Sequence, residues 1–416
     1  MKKIELLAPA GDLEKLKIAI DYGADAVYFG GEMFGLRSGA KNFTVDDIRD
    51  GVDYTHKYGR KIYMAINIFA HNVDIHLLED YLLSLEEIPI DAFIVSDPGI
   101  ILSIRDRLPK AEIHLSTQAN TTNYKAAEFW HNQGIKRIVL ARELSLDEIS
   151  ELRANTSPHL EIEAFVQGAM CISYSGRCLM SNIMTDRDAN RGECSHPCRW
   201  QYHLVEEKRP GEYFPVFEDE RGTYVFNSKD LCMLEFIPEL INAGLTSAKI
   251  EGRMKSVFYV ATVVGAYRKA IDSYYQNPES YQFDQALLTE LKKVSHRNFT
   301  TGFYFNKPSN EDQNYQTSSY TRDYDFLGIV KAYDDESKLA TIEQRNRIFI
   351  GDQIEIIGPY TDCFGQTVEI MLNSDGDHID SAPHAQQIIQ IQMNKPVKEN
   401  FMLRKLHEKE VQNEHY

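Results

Sequence analysis

Four of the six cysteines fall in one stretch, at Cys171, Cys178, Cys194 and Cys198, among glycine, serine, arginine and aspartate rather than inside apolar runs. Cys232 follows in Ser228-Lys229-Asp230-Leu231-Cys232, and Cys363 stands apart. The N-terminus, Met1-Lys2-Lys3-Ile4-Glu5, is too short and too soon acidic for a secretion signal, so a cytoplasmic protein with reduced thiols is expected. Clustered thiols in that setting point to soft-metal chemistry. Structural zinc favours close cysteine pairs, and only Cys194 and Cys198 form one; Cys171 and Cys178 are too widely spaced. An iron–sulfur cluster needs four thiolates and tolerates irregular spacing, which this pattern suits better. A catalytic thiol and inert buried cysteines complete the alternatives, and the last is the reading for Cys363. The chain has no G-x-S-x-G elbow, no H-E-x-x-H helix and no Walker-type phosphate loop.

These thiols must be positioned by the elements around them. Short apolar runs at residues 4–8, 26–29, 62–66, 92–95, 113–116, 138–141, 162–166 and 248–251 read as strands, and amphipathic helices or an insertion follow each. Asp12 and Thr44 supply helix N-caps, and Asp97-Pro98-Gly99 leads from the fourth strand into a helix. Eight such units predict an α/β fold, a (β/α)8 TIM-like barrel, in preference to an open doubly wound sheet. Chemistry in such barrels sits at the C-terminal ends of the strands. The cysteine-bearing stretch, about 169–246, is then an insertion after strand seven, over the barrel mouth, with Lys249, Glu251 and Arg253 ending strand eight beside it. The barrel is expected over 1–276, a polar connecting segment over 277–322, a small antiparallel β-barrel over 323–405, and a mobile tail over 406–416.

The 416 residues suffice for a large domain and a small one. With 43% hydrophobic and 26% charged residues and a mean hydropathy of -0.40, the composition is that of a globular protein, and no apolar run is long enough to cross a membrane. The formal net charge of -17 argues against a broadly basic nucleic-acid surface but leaves room for a local basic face.

The run Glu163-x-Phe165-x-x-Gly168-Ala169-Met170-Cys171-x4-Gly176-x-Cys178-x-Met180-Ser181 resembles the signature of the collagenase-like peptidase family U32. Leu7-Ala8-Pro9-Ala10-Gly11, Asn227-Ser228-Lys229-Asp230-Leu231-Cys232 and Lys249-Ile250-Glu251-Gly252-Arg253 are similar to other parts of that family, so the resemblance spans nearly the whole chain. Gly192-x-Cys194-x3-Cys198-Arg199-Trp200 is most similar to the branch that hydroxylates the wobble uridine of tRNA. The resemblance implies oxygen-independent formation of 5-hydroxyuridine, with prephenate as hydroxyl donor and co-substrate, and a 4Fe–4S cluster. The family's ligand pattern maps onto Cys171, Cys178, Cys194 and Cys232, with Cys198 a spare thiol or an alternative ligand and zinc the alternative metal. It implies tRNA as partner, and a second, homologous subunit is a further expectation. The rival readings are a collagenase-like peptidase and a non-catalytic, metal-bearing RNA-binding scaffold.

Prephenate carries two carboxylates, so its site calls for guanidinium or ammonium donors. Arg253, Lys249 and Arg199 are the candidates, with Arg177 and Arg191 beside them. Gln118 and Gln167 are candidates to orient substrate, and His114 to carry protons. Glu163 and Glu251 are read either as paired structural carboxylates or as a general base. Trp200, Tyr202 and Phe34 could stack on an unstacked base, and Lys208, Arg209, Lys331, Arg345 and Arg347 could meet phosphates.

Overall fold

Alternation along the first strands sorts the barrel wall into two faces. Leu7, Ala26, Tyr28, Tyr63, Ala65, Ala92 and Ile94 form one small buried cluster, whereas their neighbours Leu6, Ala8, Val27, Phe29, Ile62, Met64, Phe93 and Val95 join the large core shared with the helices. That parity is what strands buried on both faces require: one set of side chains fills the barrel, the other packs outward.

The computed structural model describes residues 3–35, 42–170, 174, 178–187, 189, 193–199, 203–204, 214–215, 229–307 and 323–407. Strands β1 (Glu5–Pro9), β2 (Ala26–Gly30), β3 (Lys61–Ile66), β4 (Ala92–Val95), β5 (Glu112–Leu115), β6 (Arg137–Val139) and β7 (Glu161–Ala169) pair in parallel and in sequence order. Past β8 (Asp230–Cys232) comes β9 (Ser247–Ile250), which closes the ring by pairing in parallel with both β7 and β1. The result is a closed, eight-stranded parallel barrel, as the apolar runs predict.

The helices begin where the sequence supplies caps. Asp12 accepts the Lys15 amide at 2.9 Å to start α1 (Leu13–Asp21), and Thr44 with Asp47 forms a capping box on α2 (Val45–Lys57). After α3 (Asn72–Leu85), Asp97 with Pro98 at the first helical position starts α4 (Pro98–Arg107); α5 (Tyr124–Asn132), α6 (Leu146–Ala154), α7 (Met180–Thr185) and α8 (Ile237–Asn242) follow, and Ser256 caps α9 (Val257–Gln276). Helix α9 is buried over most of its length, and each large side chain it buries contributes about 1.5–3 kcal/mol.

Two stretches depart from the sequence expectation. The segment after α9 is more than a connector: it holds α10 (Gln285–Leu291) and β10 (Phe299–Thr300), and β10 pairs in parallel with β8. Aromatic burial anchors it, since Tyr304 is buried and its hydroxyl donates to the Phe165 carbonyl at 2.5 Å. Residue 406, the expected start of the tail, still belongs to a strand: β17 (Met402–Leu406) pairs on one side with β11 (Tyr324–Asp334) and on the other with β13 (Gln353–Ile357).

The C-terminal unit is a seven-stranded antiparallel half-barrel. Besides β11, β13 and β17 it contains β12 (Leu339–Gln344), β14 (Phe364–Thr367), β15 (Met371–Leu372) and β16 (Ile388–Gln392), in the order β14-β13-β17-β11-β12-β16-β15. It docks on the barrel through stacked rings of Phe258 and Phe326, centroids 5.4 Å apart, and through fully buried Arg404. Arg404 pairs with Glu290 of α10 and with Glu355 of β13. The Tyr22 hydroxyl donates to the Asn400 carbonyl at 3.1 Å.

Candidate functional site

Against the tyrosines of the small apolar cluster, the barrel interior is charged. Arg137, at the start of β6, is 2% exposed and donates to Glu5 at 2.5 Å, Glu161 at 2.6 Å and Glu163 at 3.0 Å. Lys249 of β9 donates to the other oxygen of Glu163 at 2.7 Å and lies 4.3 Å from the Tyr28 ring centroid and 5.5 Å from that of Phe165. Both partners of this pair are buried. Burial works to raise Glu163 and to lower Lys249, and the ion pair works against burial on each. With Arg137 as a second cation, Glu163 is held at about 2, well below the usual carboxylate range. Of its two sequence readings, this geometry favours the structural carboxylate, because such a group does not take up a proton near neutrality.

His114 lies at the level of Arg137, buried, with Nε2 3.0 Å from Glu112 and its ring edge-on to Tyr63. Burial lowers the imidazole below its ordinary value against the pull of Glu112, so it is neutral at physiological pH. It sits within the wall network, below the mouth.

At the mouth, the loop after β9 brings Arg253 against the end of β2: a Cβ on Gly30 would collide with Arg253 Nη1. Glu251, half-buried, packs on Gly168, whose φ of +117° and 2.7 Å approach to Glu251 Cβ leave no room for a side chain. Gln118 is buried in the turn after β5 and accepts from Ser116 Oγ at 3.4 Å. Gln167 is turned toward α9, where its Oε1 accepts from the Tyr267 hydroxyl at 3.2 Å.

Of the expected cysteine ligands, Cys171 lies outside the described residues, as do Arg177, Arg191, Trp200, Tyr202, Lys208 and Arg209. Arg199 falls in a short 3-10 turn, Pro197–Arg199. Cys178 and Cys194 are half-buried, and Cys194 Sγ is 3.9 Å from His196 Nδ1. Cys232 lies directly across the ladder from Gln167, is 7% exposed, and burial pushes its thiol up to about 12. Among the described residues no group of three or more His, Cys, Asp or Glu is gathered to hold a metal ion. The donor chemistry nevertheless fits a soft metal. Cys178, Cys194 and Cys232 are all free thiols, and Cys232 sits beside the end of β7, two residues before Cys171 in the chain.

Other expectations are redirected. Phe34 is 7% exposed and packs on Tyr81, so it belongs to the core. Lys331 is paired with Glu14 and Glu343, and Arg345 with the same two carboxylates, while Arg347 is exposed. Sequence reasoning missed Arg137, Arg142, Asp230 and Tyr267. Arg142 follows β6, stands 4.0 Å over the Phe165 ring and donates from Nη1 to the Ala169 carbonyl at 2.8 Å. Asp230 is buried and accepts the Arg297 amide at 3.2 Å. Arg137 bonds Glu163 and Tyr267 bonds Gln167, both candidates from the sequence, so strand register is the signal that finds these two; among the described residues Arg142 and Asp230 touch no candidate residue and left no such signal. No helix among the described residues is long and apolar enough to cross a membrane.

Comparison with known proteins places this geometry. The chain is 46% identical over 404 residues to the tRNA hydroxylation protein P1 of Bacillus subtilis (strain 168), covering 97% of this chain and 95% of that protein. It is 37% identical to the tRNA hydroxylation protein P of Escherichia coli (strain K12), covering 92% of each. It is 35% identical to the 23S rRNA 5-hydroxycytidine C2501 synthase of the same strain, covering 72% of this chain and 45% of that protein. The model of peptidase family U32 matches residues 11–314, and that of the family's C-terminal domain matches 322–404. Barrel, cysteine-bearing stretch and C-terminal half-barrel together make this chain a member of peptidase family U32.

Proposed function

We propose that this chain is an RNA-modifying hydroxylase that forms 5-hydroxyuridine at the wobble uridine of tRNA, with prephenate as hydroxyl donor and a 4Fe–4S cluster as cofactor. The observation that carries the reading is the 46% identity, along 97% of the chain, to a protein named for tRNA hydroxylation. The rRNA hydroxycytidine synthase among the relatives supports the same reaction type on a second kind of RNA.

The mouth is suited to a small dianion beside an unsaturated ring. Arg253 and Lys249 offer a guanidinium and an ammonium, and Phe165 and Tyr28 offer aromatic faces close to the ammonium. Glu163 holds Lys249 in place rather than taking a proton. Cys171, Cys178, Cys194 and Cys232 would hold the cluster, which when bound supplies one-electron redox capacity and a Lewis-acidic iron beside the mouth. A base presented to this mouth must leave its stack in the anticodon loop.

One contact favours the peptidase reading, the thiol–imidazole approach of Cys194 to His196 at 3.9 Å. Anaerobically purified protein should be incubated with unmodified tRNA, with and without prephenate, and the digested nucleosides analysed by mass spectrometry. Prephenate-dependent 5-hydroxyuridine supports the hydroxylase. Its absence, together with gelatin cleavage lost in Cys194→Ala, would transfer the assignment to the peptidase.

A further inference from the structure

Arg142 is built into the mouth in a way that its neighbours do not use up. The guanidinium stands 4.0 Å over the Phe165 ring, and its Nη1 is spent on the Ala169 carbonyl at 2.8 Å. The Nε–H is buried and has no hydrogen-bond partner among the described residues. Nε and Nη2 form the edge on which a carboxylate docks in a two-pronged pair. A buried, unmade hydrogen bond on a charged group is costly, and a ligand oxygen at this edge would remove that cost. Burial raises the carboxyl of Glu143, its chain neighbour, and the Arg142 charge offsets that only in part.

The surroundings agree. Phe165 is flanked by Arg142 on one side and by Lys249, 5.5 Å from its centroid, on another. Further unpartnered buried oxygens lie at the same end of the barrel: Ser96 Oγ after β4, and Asn120 Oδ1 and Thr121 Oγ1 after β5. The Thr121 carbonyl accepts the Ala141 amide at 3.2 Å, which joins this turn to the loop that carries Arg142. Two cationic groups thus lie close to one aromatic ring, with neutral oxygens near one of them.

We infer that Arg142 is a substrate-binding residue that grips one carboxylate of a small organic dicarboxylate lying against Phe165, while Lys249 and Arg253 serve the other. This deepens the hydroxylase reading and rests on it for the identity of the ligand. It commits to the ligand class, two carboxylates on one small molecule, and to Arg142 as the residue that tells a dianion from a monoanion.

The test is calorimetric binding to the full-length, anaerobically prepared protein, with prephenate as the dicarboxylate and phenylpyruvate as a monocarboxylate of similar shape. Wild type is expected to prefer prephenate. Arg142→Gln is expected to weaken prephenate about 10- to 100-fold and phenylpyruvate far less, so that the preference collapses. Arg142→Lys keeps the charge and loses the fork, and it should lose much of the preference with an unchanged melting midpoint. If Arg142 only braces the Ala169 carbonyl, both ligands weaken together or neither does, and the inference fails. It also fails if wild type shows no preference for two carboxylates. If prephenate does not bind but malate does, in an Arg142-dependent way, this inference stands and the prephenate reading falls.

Discussion

Lys249 and Glu163 form a 2.7 Å ion pair between neighbouring strands inside the barrel, and each is almost wholly buried. The pair links two layers. Below, Glu163 receives Arg137, which reaches Glu5 and Glu161 at the barrel floor. Above, Lys249 faces Tyr28 and Phe165 at the mouth. A continuous charged column therefore supports the ammonium from beneath, so its position depends on residues far from any ligand.

Glu163→Gln should cost about 3–5 kcal/mol of unfolding free energy, because it leaves the buried Lys249 ammonium without its counterion. The double variant Glu163→Gln with Lys249→Met should recover most of that loss. Urea unfolding of the two variants decides it; equal destabilisation in both would show that the charges are not coupled.

The same carboxylate gives a pH signature. Its folded value of about 2 lies below the ordinary 4.5, so between those values the unfolded chain binds the proton and the folded chain does not. Its contribution is complete above about pH 4.5 and is lost as pH falls toward 2. Melting midpoints of wild type should therefore drop more steeply over that window than those of Glu163→Gln, and parallel curves would contradict the assignment.

Arg404→Ala should loosen the C-terminal half-barrel from the barrel. It removes a fully buried guanidinium shared by Glu290 and Glu355 and leaves these part-exposed carboxylates with Lys293 alone, at a cost of about 1–3 kcal/mol. Calorimetry should resolve one broad or two separate transitions where wild type shows one.

Gly168→Ala should destabilise by about 1–3 kcal/mol, since a φ of +117° and a 2.7 Å approach to Glu251 both oppose a side chain. Gly59→Ala is the control: its φ is +65° and nothing lies within 4 Å of the new Cβ. A melting midpoint for Gly168→Ala no lower than that of Gly59→Ala would remove the steric argument.

For the metal, elemental analysis of anaerobically purified protein should give about four irons per chain in wild type and in Cys363→Ala, and far fewer in Cys232→Ala. One zinc and no iron would establish the alternative metal and undercut the redox reading.

Most of the barrel was legible because its strands are short apolar runs between turn formers and its helices carry their own caps, as at Asp12, Thr44 and Asp97. Lys249 and Arg253 stood out because they end a strand. Arg137 and Arg142 did not, because an arginine flanking a strand has the same local sequence whether it is solvated or buried. Only the register, which sets Arg137 beside Glu161 and Ile138 beside Ile162, distinguishes the two. The strand Met402–Leu406 was hidden for a related reason. Its central Arg404 reads as surface charge until Glu290, more than a hundred residues earlier, is brought to it. Phe299–Thr300 is too short for any periodicity to register.

The pairing of β8 with the end of β7 has a consequence for how this family can vary. Asp230 lies opposite Ala169 across the ladder, so residues 170–229, which carry Cys171, Cys178, Cys194 and Cys198, run between the two sides of one clasp. The entropy of closing such a loop grows only slowly with its length. What lies between can therefore differ in length at little entropic cost, provided its cysteines keep their places, while the wall beneath it, and the charged column inside, stay as they are.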